Sequence, residues 1–383
     1  MYKLASFIVD KRNLFFLLWI FAIIFSFFSR NWVKVEDDLT TYLPDSTETR
    51  QGLTLMDDEF ITYGSASVMV SNITYDKAES ISDAIENIEG VSEVAFDDSE
   101  DHYKNSSALF SVTFDGEADD EISVNAMDGI KEMLSDYDFY VSGEVGVDTS
   151  SELAQEMNVV TLIAAVIIIL VLTFTSRAYA EVPVLLITFV AAALINMGTN
   201  FLLGTISFVS NSVTIVLQLA LAIDYAIILI HRYSEEHEKM APREACITAL
   251  SKAIVEISSS SLTTVSGLIA LAFMQFRIGA DLAMVLIKAI MFSLLSVFTL
   301  MPGLIMLFSN LIDKSVHKNF VPKISAVGKF AFATKYVIPP VFVVLAIVGF
   351  IFSNQCPYCY GTSDLKTTRV SDQQIAEQKI KDN

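Results

Sequence analysis

A carboxylate and a phenol stand side by side in an apolar run: Asp224 and Tyr225, within the stretch Ser207 to Glu236. The stretch holds about 24 mostly apolar residues, enough at about 1.5 Å each to cross the roughly 30 Å core of a bilayer. A charge at that depth disfavours insertion by roughly 2.5 to 3.5 kcal/mol, so it points to a protein interior or a water-filled path in which the carboxylate acts. The chemistry on offer is proton transfer. In a dry bundle desolvation favours a neutral carboxyl, which takes a proton from one side and releases it when water is admitted from the other. Tyr225 would hydrogen-bond a partner helix that senses the change. The bland alternative is an Asp bonded to a neighbouring helix with no further role. His231, Arg232, Tyr233, Ser234, Glu235 and Glu236 then form a charged rim at a water boundary.

Other polar groups lie near or within apolar runs. Ser258 to Ser261, Thr263, Thr264, Ser266 and Gly267 are small residues that permit close helix contact; of these, Ser258, Ser261 and Thr264 serve either packing or the path to Asp224. Lys288 is a further candidate for the relay path or for helix packing; it is expected to snorkel toward the outer surface, near a boundary marked by Asp281, with a carboxylate partner as the alternative. Asn196, Asn200, Asn211 and Gln218 read as hydrogen bonds between helices. Cys356 and Cys359 form C-P-Y-C without the strand and helix that redox chemistry needs, which leaves a local disulfide or free thiols; Cys246 reads as a plain thiol. The four His show no ligand spacing, so no metal, cofactor or enzymatic site is expected.

These groups need a membrane scaffold, and the composition supplies one. With 53% hydrophobic residues and a positive mean hydropathy, the 383-residue chain reads as an integral membrane protein with a soluble part. Between Trp32 and Glu156 there are 31 acidic and 5 basic residues, a net of −26, so from the whole-chain −20 the remainder carries +6. The acid belongs to one domain, which would repel nucleic acid and anionic headgroups.

Apolar runs mark seven spans: Leu14 to Phe28, Val159 to Thr175, Val182 to Leu203, Ser207 to Ile230, Ser258 to Phe276, Leu282 to Phe308 and Val337 to Phe352. The first carries no signal-peptide cleavage site. Pro242 to Ile257 reads as an interfacial helix with Ala245, Ala249, Ile254 and Ile257 toward lipid. Between the first two spans the periodicity is that of a soluble α+β domain: strands at 65–72, 91–96, 108–114 and 139–142, helices at 76–89 and 119–134. That β-α-β-β-α-β order is the ferredoxin-like unit. The expected domains are a first transmembrane helix (1–31), a ferredoxin-like domain (32–155), helices two to six (156–310), a cytoplasmic linker (311–333), helix seven (334–353) and the start of a second outward domain (354–383).

Lys and Arg in the short connections fall on one side, which places the amino terminus in the cytoplasm and the acidic domain outside. They are Lys3, Lys11 and Arg12; Arg177; Arg232, Lys239, Arg243 and Lys252; and Lys314, Lys318, Lys323, Lys329 and Lys335.

The layout, the large domain after helix one, A-I-D-Y in helix four and R-Y-S-E-E at its end together resemble the resistance-nodulation-division superfamily, specifically its MMPL (mycobacterial membrane protein large) branch. The resemblance implies that Asp224 and Tyr225 are half of a proton relay completed by a matching pair in helix ten, and that the proton gradient drives export of lipids or other amphiphiles. Ala222 stands where that family usually has Gly. The protein-export branch usually follows its Asp with Ala-Asn, so Tyr225 and Ala226 argue against it. Two other classes fit the layout: a lipid or sterol sensor, since spans two to six match the sterol-sensing arrangement, and a membrane-anchored scaffold.

A weak internal repeat agrees with duplication. A shift of 324 positions places Lys11 on Lys335, Ala22 on Ala346, Ile23 on Ile347, Phe28 on Phe352 and Ser29 on Ser353; two more bring Asp38 and Leu39 onto Asp364 and Leu365. The chain is therefore expected to enter a second outward domain of a parent with about twelve spans. Its expected partners are the bilayer, an amphiphilic substrate, protons, and the missing half of the same protein or another chain.

Overall fold

The computed structural model describes residues 1–36, 38–60, 62–143, 145, 149–317, 325–355 and 372–382. Helices α1 (Tyr2–Asp10) and α2 (Arg12–Ser29) are followed by β1 (Lys34–Glu36) and α3 (Glu48–Glu59). Next come β2 (Ser65–Ser71), α4 (Tyr75–Glu86), β3 (Val91–Ala95), β4 (Tyr103–Lys104), β5 (Ser107–Phe114), α5 (Glu121–Met133) and β6 (Asp138–Gly143). Apolar helices return with α6 (Thr149–Thr175) and α7 (Glu181–Gly198), then β7 (Thr205–Ser207), α8 (Phe208–His237), α9 (Pro242–Leu271) and α10 (Ile278–Leu295). A π-turn at Ser296–Leu300 leads into α11 (Met301–Lys314), followed by α12 (Ser325–Ala333), α13 (Ile338–Ser353) and α14 (Asp372–Asp382). Residues 1–51 and 149–323 form one compact unit, and 52–148 with 324–383 a second.

In the second unit the strands run β3-β5-β2-β6, all neighbours antiparallel, which is the order a split β-α-β pair produces. Alternation along the strands decides the covered face. Val68 and Val70 of β2 and Phe110 and Val112 of β5 are buried with Ala78, Ile81 and Ile85 of α4 and Ala126, Met127 and Ile130 of α5. The fold class read from the sequence is the one observed: apolar helices plus a small sheet domain. The hairpin strand β4 and helix α3 had no clear signal in the sequence.

Among the described residues of the first unit six helices are long and apolar enough to cross a membrane: 12–29, 157–175, 181–198, 208–237, 242–271 and the continuous 278–314. The expected seventh span, Val337 to Phe352, is matched in length by α13. Helix α13 has 16 residues and meets the segment Val327–Ala333 at 82°, so it counts as a seventh span only if the bent pair is taken together. Pro339 and Pro340 at its start lack the amide hydrogens that would continue a straight helix. A correction concerns Pro242 to Ile257, which is not a separate interfacial helix. It is the first half of the 30-residue α9, and Ala245, Ala249, Ile254 and Ile257 are buried in protein, packed with α1 and α8. No glycine or proline stands between Pro242 and Gly267 to break the helix there, and the apolar stripe finds helix neighbours. The π-turn sits just before Pro302, whose missing N–H and ring disrupt the regular ladder. Gly198 lets α2 and α7 touch: a β-carbon there would overlap Ser26, and Ser29 Oγ donates to the Gly198 carbonyl at 2.6 Å.

Candidate functional site on the fourth apolar helix

Helix α8 is fixed at its start by a cap. Ser207 Oγ accepts from Ser210 N at 3.1 Å, and Asp281, in the first turn of α10, accepts from both Ser207 N (3.0 Å) and Ser207 Oγ (2.8 Å). The parallel pairing of β1 with β7 and the ion pair Arg277–Asp45 at 2.5 Å hold the same end.

Along α8 the packed face carries Thr214, Gln218, Ala222, Tyr225, Ala226, Leu229, Ile230 and Tyr233, spaced by three and four residues. Tyr225 is 3% exposed. Asp224 is one helical step, about 100°, off that stripe, and its side chain is exposed. This corrects the expectation of a carboxylate within a dry bundle: in this chain the bundle packs behind Asp224. Among the described residues neither Asp224 nor the Tyr225 hydroxyl has a hydrogen-bond partner, so the expected bond from Tyr225 to a partner helix is not formed here.

The hydroxyls of α9 bond within their own helix. Ser261 Oγ donates to the Ser258 carbonyl at 3.0 Å and Thr264 Oγ1 to the Ser260 carbonyl at 3.4 Å; Ser261 is buried and Ser258 exposed. Their level relative to Asp224 follows from two ion pairs between the antiparallel α8 and α9. Lys252 Nζ meets Glu236 at 2.6 Å, and Arg232 meets Glu256 at 2.6 Å. Four residues back along α8 match four residues forward along α9. Two further such steps bring Asp224 level with Thr264.

Lys288 does not point to open water. Its ammonium donates to the Asn196 carbonyl (2.8 Å), Thr199 Oγ1 (3.2 Å) and Asn200 Oδ1 (2.5 Å), all at the C-terminal end of α7. The exposed carbonyls of a helix end attract a cation, and that end lies within reach of a lysine on α10. The reading of Asn200 and Gln218 as cross-helix groups agrees with the geometry. Gln218 Nε2 donates to the Ala289 carbonyl and to Ser293 Oγ, both at 3.2 Å, while Asn196 is bonded through its backbone and its buried side-chain oxygen has no partner among the described residues.

The C-terminal end of α8 is a clamp as well as a rim. Ser234 Oγ donates to the buried Glu181 at 3.0 Å, and the other Glu181 oxygen accepts from Arg177 N at 2.9 Å, at the start of α7. His237 meets Asp313 of α11 at 2.9 Å. Beside the span α2, Arg243 at 2.6 Å holds the Asp10 carboxyl below its ordinary range. Glu181, Glu256 and the pairing of Lys252 with Glu236 were missed in the sequence. A signal was there: Arg232 and Glu236, then Lys252 and Glu256, repeat opposite charges four residues apart on consecutive helices. Cys246 is buried, and Cys356, Cys359 and most of the expected second outward domain lie outside the described residues.

The sequence profile of the MMPL family matches residues 53–327, which include α8 and the whole ferredoxin-like sheet. The chain belongs to the MMPL family. Over 90 residues it is 38% identical to a protein of Methanocaldococcus jannaschii described as a membrane protein, MJ1562, the matched stretch being 23% of each chain. Among solved structures it is similar to SecDF, a translocon-associated membrane protein from Thermus thermophilus, with 14% identity and a TM-score of 0.45 over 81% of this chain and 38% of that one. The chain thus matches about a quarter of the curated MJ1562 and well under half of SecDF. Among the described residues of this MMPL protein no group of His, Cys, Asp and Glu is placed to hold a metal ion.

Proposed function

We propose that this MMPL protein is a secondary transporter in which proton movement through Asp224 drives export of lipids or other amphiphiles. One observation carries the reading: a carboxylate about 24 Å along a membrane-length helix, on the side that its own bundle leaves uncovered. A charged group in that position does not face acyl chains at low cost. A second helix bundle or a water-filled path must lie against it, and the charge on that face then depends on whether Asp224 is protonated.

The bundle contributes the rest. Tyr225, packed behind Asp224, transmits movement of α8 to its neighbours, and Thr264 with its neighbouring hydroxyls offers polar groups at the level of the carboxylate. The covering bundle would come from a duplicated second half or another chain, with the amino terminus cytoplasmic and the acidic domain outside.

The test is Asp224→Asn in the intact protein, with efflux of a fluorescent phospholipid followed across an imposed pH gradient. The reading predicts loss of the gradient-dependent part with the protein still folded and inserted. Undiminished gradient-driven efflux would remove Asp224 from the relay. Lipid binding with no gradient-dependent movement would favour a sensor.

A further inference from the structure

His231 follows Asp224 by seven residues on α8, which sets the two side chains roughly 20° apart around the helix and about 10.5 Å apart along it. The His231 ring is half-buried at the end of α6, with Nε2 at 3.2 Å from the carbonyl of Thr175, the last residue of that helix. A carbonyl only accepts, so Nε2 carries the hydrogen, and in the neutral ring Nδ1 carries a lone pair. Among the described residues Nδ1 has no partner. The charged groups at this end of the bundle are engaged with one another. Arg177 meets Glu238 at 3.2 Å, Arg232 meets Glu235 at 3.4 Å and Glu256 at 2.6 Å, and Glu181 accepts from Ser234 and from the Arg177 amide.

The interval between Asp224 and His231 is not wholly apolar. The α9 stripe that meets α8 through Lys252 and Glu256 continues, in the same steps of four, to Ser260 and Thr264, level with Ile228 and Asp224. Thr264 Oγ1 donates to the Ser260 carbonyl and keeps its own lone pairs, while Ser260 is exposed. Two hydroxyls there can hold bridging waters where the Ile228 side chain of α8 cannot.

We infer that His231 is the next proton carrier after Asp224, taking the proton that the carboxyl releases and passing it to water at the charged rim of α8. This rests on the proposed relay and extends it by one residue. The Asp224 O–H bond breaks and, through water beside Ser260, an Nδ1–H bond forms, leaving a carboxylate and an imidazolium. The imidazolium then gives its Nδ1 proton to water near the exposed Glu235, one turn further along, and the ring is neutral again. Its anchor survives the cycle, because the Nε2–H that bonds Thr175 is present in both forms of the ring.

His231→Gln tests the step, since an amide keeps an N–H for the Thr175 carbonyl but has no basic nitrogen. The intact protein is placed in liposomes with a trapped pH-sensitive dye, and proton flux down an imposed gradient is followed with a fluorescent phospholipid present. His231→Gln should slow that flux at least about ten-fold, and added imidazole should restore it, whereas imidazole should restore nothing in Asp224→Asn. Flux equal to the parent's, or slow flux that imidazole leaves unchanged, would overturn the role of His231 and leave Asp224 in place. Parent flux that is absent, or that Asp224→Asn does not slow, would instead overturn the relay on which the inference rests. Nitrogen-15 NMR of His231 in the unsubstituted protein at alkaline pH needs no variant to fold. It should show the ring hydrogen on Nε2, and a hydrogen on Nδ1 would contradict the assignment.

Discussion

Asp224 and Tyr225 are consecutive residues on different faces of α8: the carboxylate is exposed, and the phenol is 3% exposed among the helices behind it. Because the Tyr225 hydroxyl bonds nothing among the described residues, Tyr225→Phe should change stability by less than about 1 kcal/mol, whereas Tyr225→Ala should remove about 3 to 5 kcal/mol through the cavity it leaves. Thermal unfolding in detergent measures both. A Tyr225→Phe protein that is stable but slow in transport would assign the hydroxyl to the relay, as the family resemblance implies.

Lys288 ties α10 to the end of α7 through three oxygens within 3.2 Å. Lys288→Met would leave the Asn196 carbonyl and Asn200 Oδ1 without this donor, a loss of about 1 to 3 kcal/mol. Lys288→Arg should not restore it, since the planar guanidinium does not reproduce three bonds from one nitrogen. Unfolding midpoints of the two variants give the comparison.

The pairs Glu236–Lys252 and Arg232–Glu256 join α8 to α9, but the Lys252 and Arg232 side chains are 52% and 37% exposed. Double-mutant cycles should give only a weak coupling for each pair, falling as salt is raised. A strong coupling that salt does not reduce would mean that this end is shielded from water.

In the ferredoxin-like domain, hydrogen bonds from Ser99 first, and then His102 at 2.8 Å, lower the Asp97 carboxyl to about 2. A carboxyl lowered in the folded state contributes stability that is complete above its ordinary value of 3.8 and is lost as pH falls toward about 2. Ser99→Ala should raise the midpoint toward 3.8, read from the Asp97 carboxyl carbon shift, and narrow that window.

Some of this architecture was legible in the residues alone. Alternation along 65–71 and 107–114 and the spacing of Ala78, Ile81 and Ile85 announce a sheet with helices on one face, because period two and period 3.6 bury different sets. The apolar runs announce the spans. What the sequence could not show was rotation. Asp224 and Tyr225 are equally deep in the run, and only the packing of α7, α9 and α10 decides that one faces the bundle while the other faces away. The break at Lys11 between α1 and α2, with Ala5, Ile8 and Val9 buried before it, was hidden by the strong hydropathy that follows. Three-residue strands such as β1 and β7 carry too little pattern to read.

The most direct test of the central claim is proton flux. The intact protein, reconstituted in liposomes with a trapped pH-sensitive dye, should dissipate an imposed pH gradient faster when an amphiphilic substrate is present. Asp224→Asn should abolish that acceleration while inserting and folding as the parent does. Equal substrate-stimulated flux in the two proteins would contradict the account.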